Sequence, residues 1–136
     1  MRSNISELID KVITEFNIVI IGNVRKNSIK TATIISTQIL GDILNVYKFN
    51  SEVNFDNETN QYEVIIGEVS LYGYGDTANE AVEMTTNMAI DLAEDYFKKT
   101  DVYARIPDER LKYPYFLRIR NCSEREDVKK VLGLVE

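Results

Sequence analysis

Between Tyr62 and Lys99 the hydrophobic pattern changes its period once, and that change predicts a strand, a turn and a helix in succession. An extended apolar segment runs up to Tyr72-Gly73-Tyr74-Gly75. From Asp76-Thr77 onward, Ala81, Val82, Thr85, Met88, Ala89, Leu92, Ala93, Tyr96 and Phe97 recur at three- and four-residue steps. Glu83, Asn87, Asp91, Glu94, Asp95 and Lys98 fall between them, so one face of the helix is expected to meet core and the other solvent. Thr77 and Glu80 have capping-box spacing, in which the hydroxyl and the carboxylate each satisfy one orphan amide of the first turn. The helix is therefore expected over Thr77 to Lys99.

Upstream, Asn4 and Glu7 form a second capping pair ahead of Ile5, Leu8, Ile9, Val12 and Ile13, which share a helical face. Asn17 to Gly22 and Thr31 to Ser36 are β-branched runs without helical spacing, separated by the polar, basic stretch Asn23 to Lys30, and they predict a hairpin. Thr37 then caps a brief helix whose apolar face is Ile39, Leu40, Ile43 and Leu44. The first 48 residues read as helix, hairpin, helix.

From Lys48 to Asp56, Phe49, Val53 and Phe55 are expected to pair with Tyr62, Val64 and Ile66 through the turn Asp56-Asn57-Glu58-Thr59-Asn60. Beyond the long helix, Asp101 to Tyr113 is polar and interrupted by Pro107. Tyr115, Leu117 and Ile119 then alternate with Phe116, Arg118 and Arg120, which predicts one further strand near an edge. Ser123 and Glu126 suggest a third capping box ahead of Val128, Val131 and Leu132, with Gly133 ending the last helix.

Charge sharpens the division. Residues 1–48 hold six Lys/Arg against four Asp/Glu, a balance of +2, whereas residues 49–136 hold ten against eighteen, a balance of −8. The total of −6 argues against a bulk nucleic-acid binder, which normally carries an evident cationic excess. A single cysteine, Cys122, forbids an internal disulfide, and there is neither a secretory leader pattern nor an apolar run of about 18 residues. A reducing cytoplasm is the expected compartment, with no membrane contact.

Two resemblances give these units an expected role. Gly75-Asp76-Thr77-Ala78-Asn79-Glu80-Ala81 is similar to the Gly-x-Thr-x-x-Glu-Ala turn that opens the helix of the HicB-like antitoxin domain, and the match extends over roughly residues 50–99. Ser70-Leu71-Tyr72-Gly73-Tyr74 stands where that family often reads Pro-Gly-Cys. The first 45 residues resemble the Phd/YefM antitoxin N-terminal unit. Asn4-Ile5-Ser6-Glu7-Leu8-Ile9 matches its helix, Ile18 to Ile21 with Thr31 to Ser36 its hairpin, and Thr37 to Leu44 its second helix. The leading strand usual in that family is missing, and the hairpin loop is longer. The resemblance implies dimerisation and operator binding through Arg2, Arg25, Lys26 and Lys30.

The chemistry of catalysis is sparse. There is no histidine, the commonest general base and metal ligand near neutral pH, and Cys122 has no imidazole to activate it. Gly73-Tyr74-Gly75-Asp76-Thr77-Ala78 fits a dinucleotide-binding string formally. The acidic residue expected about 20 positions on would fall inside the same helix, so a turn and cap is the better reading. Asp56 to Asn60 begins like a calcium loop but carries Gln61 where the glycine belongs. Tyr72 and Tyr74 face one side of a strand and offer an aromatic patch, extended by Tyr103, Tyr113 and Tyr115, for an interface or for the core. The acidic helix face around Glu83, Asp91 and Glu94 either meets a basic partner or is solvated surface. Arg118 and Arg120 would share one strand face, to bind phosphate or to pair with the acidic helix.

The expectation is an α+β chain. A helix–hairpin–helix unit, residues 1–48, serves dimerisation and DNA binding. A HicB-like antiparallel sheet covered by one long helix, residues 49–136, serves partner binding. No catalytic residue, cofactor or metal is expected. The resemblances imply a homodimeric antitoxin that neutralises a cognate basic toxin through Tyr72, Tyr74, Glu83, Asp91 and Glu94 and weakly represses its own operon. The alternative is a non-enzymatic HicB-like scaffold or small-ligand module without toxin or DNA.

Overall fold

The structure, a computed structural model, describes residues 5–16, 19–23 and 30–135. The chain divides into two compact units, Met1–Ile43 and Leu44–Glu136. In the first, helix α1 (Ile5–Thr14) precedes the antiparallel strands β1 (Val19–Asn23) and β2 (Lys30–Ile34), with Val19 opposite Ile34 and Asn23 opposite Lys30. The apolar spacing of α1 buries Val12 but leaves Ile5, Ile9 and Ile13 exposed. Asn4, expected to cap α1, lies outside the described residues. Helix α2 (Thr37–Leu44) is capped one residue earlier than the sequence suggests. The Ser36 hydroxyl accepts the Ile39 amide at 3.1 Å, the bond an N-cap side chain makes to the third helical residue.

The second unit is built on a three-stranded antiparallel meander, β3 (Ser51–Asp56), β4 (Gln61–Ile66) and β5 (Leu71–Gly75), in the order β3-β4-β5. Val53 lies opposite Val64, and Val64 opposite Gly73. Asp56 organises the β3–β4 turn by accepting the Glu58 amide at 2.9 Å and the Thr59 hydroxyl at 3.0 Å. Asn60 ends the turn at φ +58°, a left-handed conformation that asparagine tolerates. A 3₁₀ turn (Gly67–Val69) leads into β5.

Helix α3 (Ala78–Lys98) covers one face of this sheet. The Thr77 half of its capping box forms, with Thr77 Oγ1 accepting the Glu80 amide at 3.1 Å, while Glu80 Oε2 reaches one residue further back than the box requires and accepts the Asp76 amide at 3.0 Å. Ala81, Thr85, Ala89 and Ala93, four residues apart, present a buried stripe of small side chains to the neighbouring elements. The buried Thr85 and Thr86 hydroxyls donate to the carbonyls of Ala81 and Val82, so neither needs a partner across the interface. Val64, Ile66 and Leu71 from the sheet join Phe49, Val69, Tyr96, Phe116, Ile119, Val128 and Leu132 in the core.

Beyond α3 the chain stays helical, with α4 (Thr100–Tyr103), α5 (Pro107–Arg110), α6 (Tyr113–Arg120) and α7 (Arg125–Val131). The strand expected over Tyr115 to Arg120 is α6 instead. Pro114 sits in its first turn, where a missing amide costs nothing, and Phe116 and Ile119, three apart, are the buried pair. The expected Ser123–Glu126 box is also absent. Glu124 stands at the N-cap of α7 without a side-chain bond. Gly133, at φ +74°, ends α7: its amide reaches the Lys130 carbonyl and the Leu134 amide reaches that of Lys129, the paired bonds of a Schellman motif. The Ser51 hydroxyl donates to the Leu132 carbonyl and ties this end to β3.

Candidate partner-binding surface

Strand alternation sends Val64, Ile66, Leu71 and Gly73 toward α3 and leaves the opposite face of the sheet open. Register places Asn54, Glu63 and Tyr74 in one row across that face, and Glu52, Ile65 and Tyr72 in the next. Tyr72 and Tyr74 are 48% and 47% exposed, with ring centroids 6.4 Å apart. The Tyr72 hydroxyl donates to Glu63 Oε2 at 2.6 Å. That bond to a carboxylate, with Asp56 nearby, pushes the phenol's pKa upward.

The other expected patch members lie elsewhere. Tyr103 and Tyr113 gather round Tyr96, at 5.3 and 6.0 Å between centroids, and Tyr115 meets Phe49 and Tyr47. They pack against the core on the helix side, because the segment that carries them is helical.

The three acidic residues of α3 have different circumstances. Glu83 bonds Arg125, Nη1 to Oε2, at 2.6 Å and also holds the Lys129 ammonium, so α7 is fastened to α3 by its carboxylate. The Lys129 hydrogen bond and the two cations hold Glu83 below the usual carboxylate range, and Glu83 raises Lys129 in turn. Arg125 also reaches the Glu83 carbonyl and Asn87 Oδ1. Asp91 and Glu94 are exposed. The five expected partner residues are thus split, Tyr72 and Tyr74 on the open sheet face and Glu83, Asp91 and Glu94 on the helix that covers the reverse face.

Between α3, α6 and α7 lies a groove of about 410 Å³. Ile90, Ala93, Phe97, Ile119 and Val128 give it an apolar lining, and Glu94, Lys98, Arg120 and Glu124 bring charges of both signs. Arg120 stacks over the Phe97 ring at 4.9 Å, while Arg118 donates to the Tyr47 carbonyl and to Asn45 Oδ1. The two arginines do not share a strand face, since α6 turns them apart. Cys122 also borders the groove; burial raises its thiol pKa, and Sγ donates to the Arg118 carbonyl at 3.4 Å.

Arg2, Arg25 and Lys26 lie outside the described residues, and Lys30 opens β2 opposite Asn23. Among the described residues no group of three or more Cys, Asp and Glu is placed to hold a metal ion, and no helix is long and apolar enough to cross a membrane. Glu52 and Glu63 escaped the sequence reading, although a signal was there. From Phe49 to Phe97 the chain has eleven Asp/Glu and no Lys or Arg.

A family model described as PHD_like, antitoxin of toxin-antitoxin, RelE / RelB, TA system, matches residues 1–134. Among solved structures, an antitoxin part of a toxin/antitoxin system from Syntrophomonas wolfei subsp. wolfei superposes with a TM-score of 0.78 at 21% identity. The match covers 93% of this chain and 87% of that one, and at such identity it speaks for the fold alone. No curated protein matches the chain.

Proposed function

The chain belongs to the PHD-like family of toxin–antitoxin antitoxins, and from that premise we propose that it binds and neutralises a basic toxin encoded beside it. The observation that carries this reading is the charge of the second half, −8 over residues 49–136, on a chain whose family match runs nearly end to end. Neutralisation works by occlusion, with charge complementarity setting encounter rate and specificity. The chain acts without catalysis, in the cytoplasm. The exposed Ile5, Ile9 and Ile13 of α1 support a homodimer through the first unit. Arg2, Arg25, Lys26 and Lys30 serve weak operator binding, as the Phd/YefM resemblance implies, and the second unit works as a HicB-like domain.

Co-purification of the untagged chain with the product of the adjacent reading frame, sized by light scattering at low and moderate salt, tests this. A stoichiometric complex that weakens with salt is expected; a lone homo-oligomer beside a harmless neighbour defeats the reading. The groove between α3, α6 and α7 favours a second reading, a small-ligand module without toxin or DNA. That reading takes the lead if the neighbour does not bind and a small molecule raises the chain's Tm.

A further inference from the structure

We infer that the open face of the β3-β4-β5 sheet is the dock for an arginine-bearing segment of a partner protein, seated across Glu52, Glu63, Tyr72 and Tyr74. This assignment rests on the antitoxin reading for the identity of the partner, and on the sheet itself for the chemistry.

Three observations select the occupant. First, the face is uncovered: among the described residues of its unit the helices pack on the reverse side, and half the surface of Tyr72 and of Tyr74 meets solvent. Second, its charge has one sign. The strands and their turns fall within the span from Phe49 to Phe97 that holds no Lys or Arg, and Glu52 and Glu63 face outward from adjacent strands. A second copy of the same face would bring carboxylates against carboxylates, and nucleic acid would bring phosphates, so a cationic protein segment is the complementary occupant. Third, the geometry suits guanidinium better than ammonium. The bond from Tyr72 to Glu63 Oε2 fixes a ring beside a carboxylate whose Oε1 has no hydrogen bond among the described residues. A guanidinium can therefore donate to Oε1 while its plane lies on the Tyr72 or Tyr74 ring. Ile65, between Glu52 and Tyr72 in its row, supplies apolar contact for the methylene stem.

The test uses the full chain, ¹⁵N-labelled, titrated with a capped hexa-arginine peptide and, separately, hexa-lysine. Amide shifts should concentrate on β3, β4 and β5, and hexa-arginine should bind several-fold more tightly than hexa-lysine. The combined variant Tyr72→Ala, Tyr74→Ala should weaken hexa-arginine about tenfold. Glu52→Gln, Glu63→Gln, which keeps side-chain size, should do the same if the alanine variant folds poorly. Asp91→Asn, Glu94→Gln on α3 should leave binding within about twofold. Shifts centred on α3, or equal loss from the α3 variant, overturn the assignment. So does a wild-type homodimer that the tyrosine variant dissolves.

The same variants against the adjacent gene product separate the two levels. Capture by wild type and equal capture by both sheet variants removes the dock and leaves the antitoxin reading standing. No capture by wild type removes that reading, while the peptide titration still decides the chemistry of the face.

Discussion

Gly73 of β5 runs so close under Thr85 of α3 that a Cβ at position 73 would stand 2.0 Å from Thr85 Oγ1. The neighbouring Gly75 is also confined, with the Ala81 amide nitrogen 2.6 Å from where its Cβ would lie. The Gly-Tyr-Gly string therefore exists to let strand and helix backbones approach. Its resemblance to a phosphate-binding loop is incidental. The two tyrosines, alternating with the glycines, are turned to the other face by the same pleat.

Gly73→Ala should destabilise the chain by about 2 kcal/mol, the usual cost of forcing a methyl into a packed core. Urea unfolding monitored by circular dichroism measures it. Adding Thr85→Ala should recover only part of the loss, because Thr85 Cα also lies 3.2 Å from the added Cβ.

Thr77→Ala removes the acceptor of the Glu80 amide and should cost about 1 kcal/mol. Thr77→Ser, which restores an oxygen at the same place, should return most of it. Hydrogen exchange at the amides of the first turn of α3 provides a local check.

The Glu83 cluster predicts an acid-sensitive joint. A folded-state pKa below the ordinary value of 4.5 means that its stabilisation is present above that pH and is lost as pH falls through the lower folded value. Lys129, raised above 10.5, sets the alkaline limit: its contribution is present below that value and is lost as pH rises through the higher one. From about pH 6 to about pH 3 the Tm of wild type should fall more steeply than that of Glu83→Gln. Parallel curves would show that the α3–α7 joint adds nothing.

Cys122 should react slowly with a chromogenic disulfide at neutral pH and at the ordinary free-thiol rate once unfolded in urea. Burial raises its pKa and so lowers the thiolate fraction. Equal rates in both states would contradict that environment.

Local signals sufficed wherever neighbours in sequence make the deciding contacts. The Thr77 cap on the Glu80 amide, the Asp56 turn and the Gly133 stop all act over a few residues, and each reads directly from the chain. The pairing of β3 with β4 follows from the short turn between them. The segment from 113 to 120 is ambiguous for the opposite reason. Tyr-Pro-Tyr-Phe-Leu-Arg-Ile-Arg is short and apolar enough to satisfy period two or period 3.6, and its periodicity does not distinguish them.

The sequence by itself determined the long helix, its cap, the turns and the sign of the charge on the second half, because propensity, spacing and composition are local or additive. Tertiary structure decided which side chains that charge leaves available. Glu83 is drawn into a joint by Arg125 and Lys129, some forty positions away, whereas Glu52 and Glu63 become neighbours on an open face through strand pairing. It also made α6 a helix, since the surface left by Ala93 and Tyr96 is filled by Phe116 and Ile119 projecting from one helical side. Ion pairing and packing between distant segments depend on positions in space, and a one-dimensional pattern does not contain them.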